Sequence, residues 1–277
     1  MNRLLVIGFG DIAHRTAARL PANVEVRAVS RTTGADLDRP DTLAPFTGWA
    51  DTVLHCAPPP AEGSTDPRTG SLLLALEGGR ILPSRVVYIS TSGVYGDCGG
   101  AWVDETRPVN PQTLRAVRRV DAERRLLAWG ELHKIAVVIL RAPGIYATDR
   151  LPLERLAQGL PALADQDDVY TNHIHAEDLA LIAQAALELD APAGVYNASD
   201  DTQLKMGEWF DLVADRLGLP KPARVARSEA IKRIPAASLS FMSESRRLSN
   251  RKMKERLGVT LAYPTVFEGV PLKRRAA

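Results

Sequence analysis

The first thirteen residues constrain the fold more than any other stretch of the chain. Residues 4–7, Leu-Leu-Val-Ile, form an apolar run, and Gly8-Phe9-Gly10-Asp11-Ile12-Ala13 follows at once. A G-x-G-x-x-A pattern that ends a strand and opens a helix is the fingerprint of a dinucleotide-binding turn. Gly8 permits the tight turn, Gly10 lets the backbone approach a pyrophosphate, and Ala13 lets helix and strand pack closely. The phosphates then meet free backbone N–H groups and the positive end of the helix dipole, which adds Asp11 and Ile12 to the expected contacts.

The rest of the chain supplies the context this turn needs. Apolar β-rich runs recur at 24–29, 52–57, 85–89, 135–140 and 195–197, with helical patterns between most of them. Helices are expected at 11–20, 71–76 and 111–129. In the last, Leu114, Val117, Leu126 and Leu127 repeat at helical spacing, with Asn110 as cap, Pro111 at the first position and Gly130 at the end. Strands that are apolar throughout and alternate with helices predict an α/β fold, a doubly wound parallel sheet covered on both faces. After about residue 200 the pattern is helical alone, at 205–217 and 250–257. The expected division is a dinucleotide-binding Rossmann domain, 1–145 plus 171–200, and a smaller, mostly helical substrate-binding domain, 146–170 plus 201–277.

Composition excludes several classes. A net charge of +2 over 277 residues gives no electrostatic footprint for nucleic acid. No apolar run is long enough to span a membrane, and no leader pattern precedes the first strand. Two cysteines, Cys56 and Cys98, give no disulfide framework, so a reduced, cytoplasmic setting is expected. The expected partner is a small molecule, and the chain is expected as a monomer or homodimer.

Cofactor choice turns on the end of the second strand. NAD-binding folds place an acidic residue there for the ribose hydroxyls. Here Ser30, Arg31 and Thr32 stand in its place, without a carboxylate. An arginine among hydroxyls suits the 2′-phosphate of NADP, so NADP is expected over NAD.

Several further stretches stand in a familiar order: "YISTSGVYGD" (88–97), "VDET" (103–106), "LRAPGIY" (140–146), "NHIHAEDLA" (172–180) and "VYNASDD" (195–201). The chain resembles the extended short-chain dehydrogenases/reductases, relatives of the nucleoside-diphosphate-sugar epimerases and dehydratases. Its tail, "RRLSNRKMKERLGVTLAYPTVFEGV" (246–270), resembles an atypical branch of that group. The resemblance implies a Rossmann domain, a small substrate domain, and cofactor contacts that include Ala57, Thr91 and Pro143. It also implies an active-site Ser/Thr at Thr91, with Ser92 beside it, and a Tyr-x-x-x-Lys on the following long helix.

That pair is missing. Alignment through Ala122-Glu123 puts Arg115 at the tyrosine position and Arg119 at the lysine position. Arg119 retains hydrogen bonds to offer a ribose. Arg115 cannot replace the tyrosine, because guanidinium stays protonated and cannot cycle as acid and base. A second departure follows Ser30. Only three residues separate it from "GADLD" (34–38), too few for the usual crossover helix. If Asp36 and Leu37 lie beside the adenine, the usual third strand must pair unusually or be absent.

Each remaining candidate has a plainer alternative. Tyr95 is the candidate replacement acid, though a loop tyrosine there is common among relatives without that role. Thr91 is the other catalytic candidate. His173 and His175 share a strand face, but no third ligand stands near, so no metal is expected. Asp178 is expected to support its own helix start, and Cys56 and Cys98 to be bystanders. Arg115, Arg118 and Arg119 share a helical face, ordinarily a solvated stripe. The resemblance places Arg115, with Arg246 and Arg247, at the substrate, where converging guanidiniums favour an anion. Two readings stay open: an oxidoreductase or epimerase acting on a small anionic substrate, or a non-catalytic dinucleotide-binding redox sensor.

Overall fold

A computed structural model describes residues 1–273, with every side chain in that range except that of Ala237. Six strands form one parallel sheet: β1 (Arg3–Ile7), β2 (Glu25–Val29), β3 (Thr52–His55), β4 (Arg85–Thr91), β5 (Ala136–Ala142) and β6 (Gly194–Asn197). Their order across the sheet is β6-β5-β4-β3-β1-β2. Alternate residues explain why these runs are apolar throughout. Leu4 and Val6 join Leu54, Val87, Val138 and Leu140 beneath Leu179 and Ile182. Leu5 and Ile7 join Val53, Val86 and Ile139 on the opposite face, against Leu72, Ala122 and Leu126.

The helices include α1 (Asp11–Ala17), α2 (Pro67–Glu77), α3 (Leu114–His133), α4 (Ala176–Leu187), α5 (Met206–Leu217) and α6 (Arg251–Leu257), besides a helix at Arg227–Arg233 and shorter turns. Their ends correct the sequence reading. Helix α1 stops three residues early, and α2 starts at Pro67 because Asp66 accepts from the N–H groups of Arg68 and Thr69. The cap of α3 is Thr113, whose hydroxyl accepts from Ala116 N, rather than Asn110. Gly130 lies inside α3 rather than ending it. A Cβ there would sit 2.4 Å from Val137 Cγ2, so the glycine permits a close approach of helix and sheet. The helix ends at Lys134, in the left-handed conformation.

The expected problem beyond β2 resolves as an absence. The route from β2 to β3 runs through two 3₁₀ turns, Arg31–Thr33 and Pro40–Phe46, and crosses to the other side of β1. Asp36 makes only an isolated bridge to Arg39. Among the described residues no strand lies outside β2, where the doubly wound order 3-2-1-4-5-6 places one.

A separate apolar cluster gathers Tyr146, Leu163, Trp209, Phe210, Val213 and Val266, from residues 146–163 and the chain after 200. This later part is not purely helical. Leu204–Lys205 pairs with Tyr170–Thr171, Arg224–Val225 with Ala162–Leu163, and Arg247–Leu248 with Trp102–Val103. Residues 274–277 of the expected second domain lie outside the described residues. Among the described residues no helix is long and apolar enough to cross a membrane.

Candidate functional site

Two clefts open along the carboxyl ends of the sheet strands. The first, about 550 Å³, is walled by the turn after β1, the end of β2, the end of β3 and the 35–37 segment. Gly8 takes φ +83°, and a Cβ there would meet Ala57 N at 2.6 Å. Only glycine lets the β1 turn close against the end of β3. Gly10 differs: a Cβ there would meet nothing within 4 Å, because it would project into open space. That open cradle fits a pyrophosphate.

Gly8, Gly10, Asp11, Ile12, Ser30, Arg31, Thr32 and Ala57 all wall this first cleft. So do Asp36 and Leu37, at the end where the sheet has no further strand. The Arg31 guanidinium makes no hydrogen bond among the described residues, whereas Ser30 Oγ and Thr32 Oγ1 lie 2.7 Å apart. Arg68 also faces this cleft and holds Asp38 through two bonds of 2.8 and 2.6 Å. The Cys56 thiol beside it is pushed up to about 12 by burial, so it stays protonated.

The second cleft, about 410 Å³, shares Ile145 and Arg150 with the first as wall residues. Thr91, Ser92, Arg115, Pro143 and Arg246 line it, so five of the expected residues meet there. Thr91 caps the turn after β4, its hydroxyl accepting from Gly93 N. Arg115 donates to Ser240 Oγ at 2.9 Å and lies 3.8 Å over the Phe241 ring. Its pKa is lowered, chiefly by burial and also by Arg246, while Glu244 opposes the shift. Among the described residues, Glu244 is the one carboxylate lining this cleft, beside Arg115, Arg150, Arg155 and Arg246. Arg246 pairs with Glu244 at 2.9 Å and donates to Gly96 O at 2.7 Å. Asn172 clamps this segment by bonding Arg246 O and Leu248 N.

Three expected site residues lie outside both clefts. Tyr95 is buried, and its hydroxyl donates to Asn197 Oδ1 at 2.8 Å. Arg119 donates to Tyr88 Oη and Ile89 O, each at 2.9 Å. Arg247 bonds Gly100 O and stacks between the Trp102 and Tyr170 rings. Arg118 is buried too and donates to Gly63 O, so this helical face is not a solvated stripe. Asp178 does not support its own helix; it accepts from Ala262 N and Tyr263 N, and His175 caps α4 instead.

The sequence reading missed Arg150, Arg155 and Glu244, which all line the second cleft. Glu244 stands two residues before Arg246, the one signal available. His173, weighed only as a metal ligand, also lines it. Burial pushes its imidazole down to about 3, so it is neutral, and its ring packs 4.5 Å from that of Trp209. Among the described residues no group of three His, Cys, Asp or Glu side chains is arranged to hold a metal. Four buried atoms in this wall have no hydrogen-bond partner among the described residues: Arg155 Nε, His173 Nδ1, Glu244 Oε1 and Arg246 Nε.

Known structures share this architecture. A functionally unknown conserved protein from Silicibacter pomeroyi DSS is 28% identical, with a TM-score of 0.77, over 98% of this chain and 97% of that one. A putative NAD-dependent epimerase/dehydratase from Methylobacillus flagellatus is 25% identical, with a TM-score of 0.70, over 97% and 96%. RMD from Pseudomonas aeruginosa, complexed with NADPH, is 20% identical, with a TM-score of 0.74, over 98% and 97%. A search of curated proteins finds no match. The sequence profile of the NAD dependent epimerase/dehydratase family matches residues 5–199, which contain the glycine turn and, but for the first two residues of β1, all six sheet strands. With fold, glycine turn and profile in agreement, this chain belongs to the NAD-dependent epimerase/dehydratase family.

Proposed function

We propose that the chain binds NADP(H) along the first cleft and performs redox or epimerisation chemistry on a small anionic molecule in the second. One observation carries the reading: the clefts share Ile145 and Arg150, and, among the described residues, four arginines, Arg115, Arg150, Arg155 and Arg246, line the second with one carboxylate, Glu244. An excess of guanidinium over carboxylate favours an acidic group on that ligand. The Arg31 guanidinium, in the cleft wall beside Ser30 and Thr32, supports NADP over NAD.

The dinucleotide, when bound, supplies hydride exchange at its nicotinamide ring. The chain supplies position and polarity. Arg115 and Arg246 hold the acid; Thr91, Ser92 and the neutral His173 offer hydrogen bonds to an oxygen at the reacting carbon. The aromatic rings of Trp209 and Phe241 supply apolar wall.

A second reading, a non-catalytic redox sensor, is favoured by the Arg115 substitution together with the burial of Tyr95 against Asn197. A titration with NADPH, followed by a turnover screen of small carbonyl acids, separates the two. Tight NADPH binding with turnover supports the enzyme. Tight binding with no turnover across the screen supports the sensor. No binding of either nicotinamide dinucleotide defeats both.

A further inference from the structure

Arg150 stands where the two clefts meet and lines both. It ends a single 3₁₀ turn, Thr148–Arg150, and its Nη1 donates to Asp11 Oδ2 at 2.9 Å. That partner is a strange one for the site. Asp11 follows Gly10 directly, so its negative charge sits in the wall that must receive a pyrophosphate. A carboxylate there repels phosphate unless cations neutralise it.

Two cations do so. Arg15 Nε donates to the other oxygen, Asp11 Oδ1, at 2.7 Å. Arg15 is itself held by Glu177, which also receives Arg19. Burial alone would raise the Asp11 pKa, but the hydrogen bonds from Arg15 and Arg150 outweigh it and keep the carboxylate ionised. Arg15 also serves Glu177 and stands 3.8 Å from Asp149, so Arg150 is the second cation on Asp11, and it is the one that reaches both clefts.

We propose that Arg150 is a parked anion anchor, which leaves Asp11 for the pyrophosphate of an arriving dinucleotide while Arg15 keeps Asp11 paired. The inference rests on the first cleft being a dinucleotide site. In the exchange Asp11 retains Arg15, and the phosphate gains Arg150. Guanidinium grips phosphate with two parallel bonds, where Asp11 now receives one. Both partners are more than a third exposed, so neither must be dragged out of a buried site to move. With Arg150 drawn to the phosphates, the joint between the clefts tightens around the cofactor before substrate enters.

The test compares opposite signs. NADPH affinity of the full chain is measured by calorimetry for Arg150→Ala, Asp11→Asn and the double variant, with melting curves confirming folding. Arg150→Ala is expected to weaken NADPH by about tenfold or more, the size of a charge-assisted contact. Asp11→Asn is expected to tighten it by about threefold or more, because the repulsion goes and Arg150 is released. In the Asp11→Asn background, Arg150→Ala should still cost about tenfold. Adenosine 2′-monophosphate, which has no 5′-phosphate to reach the pyrophosphate cradle, should bind wild type and Arg150→Ala equally. If Arg150 merely props up Asp11, both single variants weaken NADPH alike and the second change adds nothing. That result overturns the proposal, as does an Arg150→Ala protein with unchanged NADPH affinity. Failure of the wild-type chain to bind NADPH or NADH is a different result, which overturns the reading of the cleft and this inference with it.

Discussion

The Tyr95 hydroxyl donates to Asn197 Oδ1 at 2.8 Å, in the interior and away from both clefts. The Asn197 amide nitrogen in turn donates to Val103 O and Ser249 O. One side chain therefore joins the turn after β4, the edge strand β6 and the late segment near α6.

Tyr95→Phe removes a donor and leaves Asn197 Oδ1 buried without one. The expected loss is about 1–3 kcal/mol of stability, read as a lower urea midpoint. NADPH affinity should stay as in wild type. A drop in turnover of about a hundredfold at intact cofactor affinity would return Tyr95 to the reaction.

The two fingerprint glycines should fail differently. Gly10→Val projects a branched side chain into the open cradle, so dinucleotide binding should vanish while circular dichroism stays native. Gly8→Ala meets Ala57 N at 2.6 Å and needs a positive φ, so it should lower the melting temperature itself. Retained NADPH binding by Gly10→Val would mean that the turn is purely structural.

Arg31→Ala tests the cofactor choice. Wild type should bind NADPH more tightly than NADH by about 10- to 150-fold, the worth of a charged hydrogen bond. The variant should lose most of that margin through weaker NADPH alone. Equal affinities in wild type would refute the assignment.

The sheet was legible because its strands are buried on both faces, which leaves continuous apolar runs at β1, β3, β4 and β5. The glycine turn was legible because its spacing is a backbone requirement. Long guanidiniums were not. Arg115 and Arg119 start on the same face of α3, yet one reaches the second cleft and the other bonds Tyr88 and Ile89. Helical spacing fixes where a side chain begins, and its acceptors decide where it ends. Glu244 escaped notice because the sequence shows only its neighbour Arg246, while Arg115 and the rest of the cleft are brought to it by tertiary structure, including the pairing of Arg247–Leu248 with Trp102–Val103.

Asp200 carries the last prediction. Burial, helped by the charges of Asp201 and Asp178, pushes its carboxyl up to about 8 against hydrogen bonds from Thr202. Its Oδ2 has no partner among the described residues. Between its ordinary value of 3.8 and about 8, the folded chain holds a proton that the unfolded chain has released. Its contribution to stability is therefore full below the unfolded value and lost as pH rises through the folded one, at up to about 1.4 kcal/mol per pH unit. Asp200→Asn keeps an acceptor for Thr202 N and removes the titration. The variant should gain on wild type progressively from pH 5 to pH 8. The buried histidines His55 and His173, each pushed down to about 3, run the other way, destabilising the fold as pH falls below their ordinary 6.5. Being present in both proteins, they cancel when variant and wild type are compared at each pH. Urea midpoints at pH 5, 6.5 and 8 read the difference, and a gain that does not change with pH would show that Asp200 is ionised in the fold.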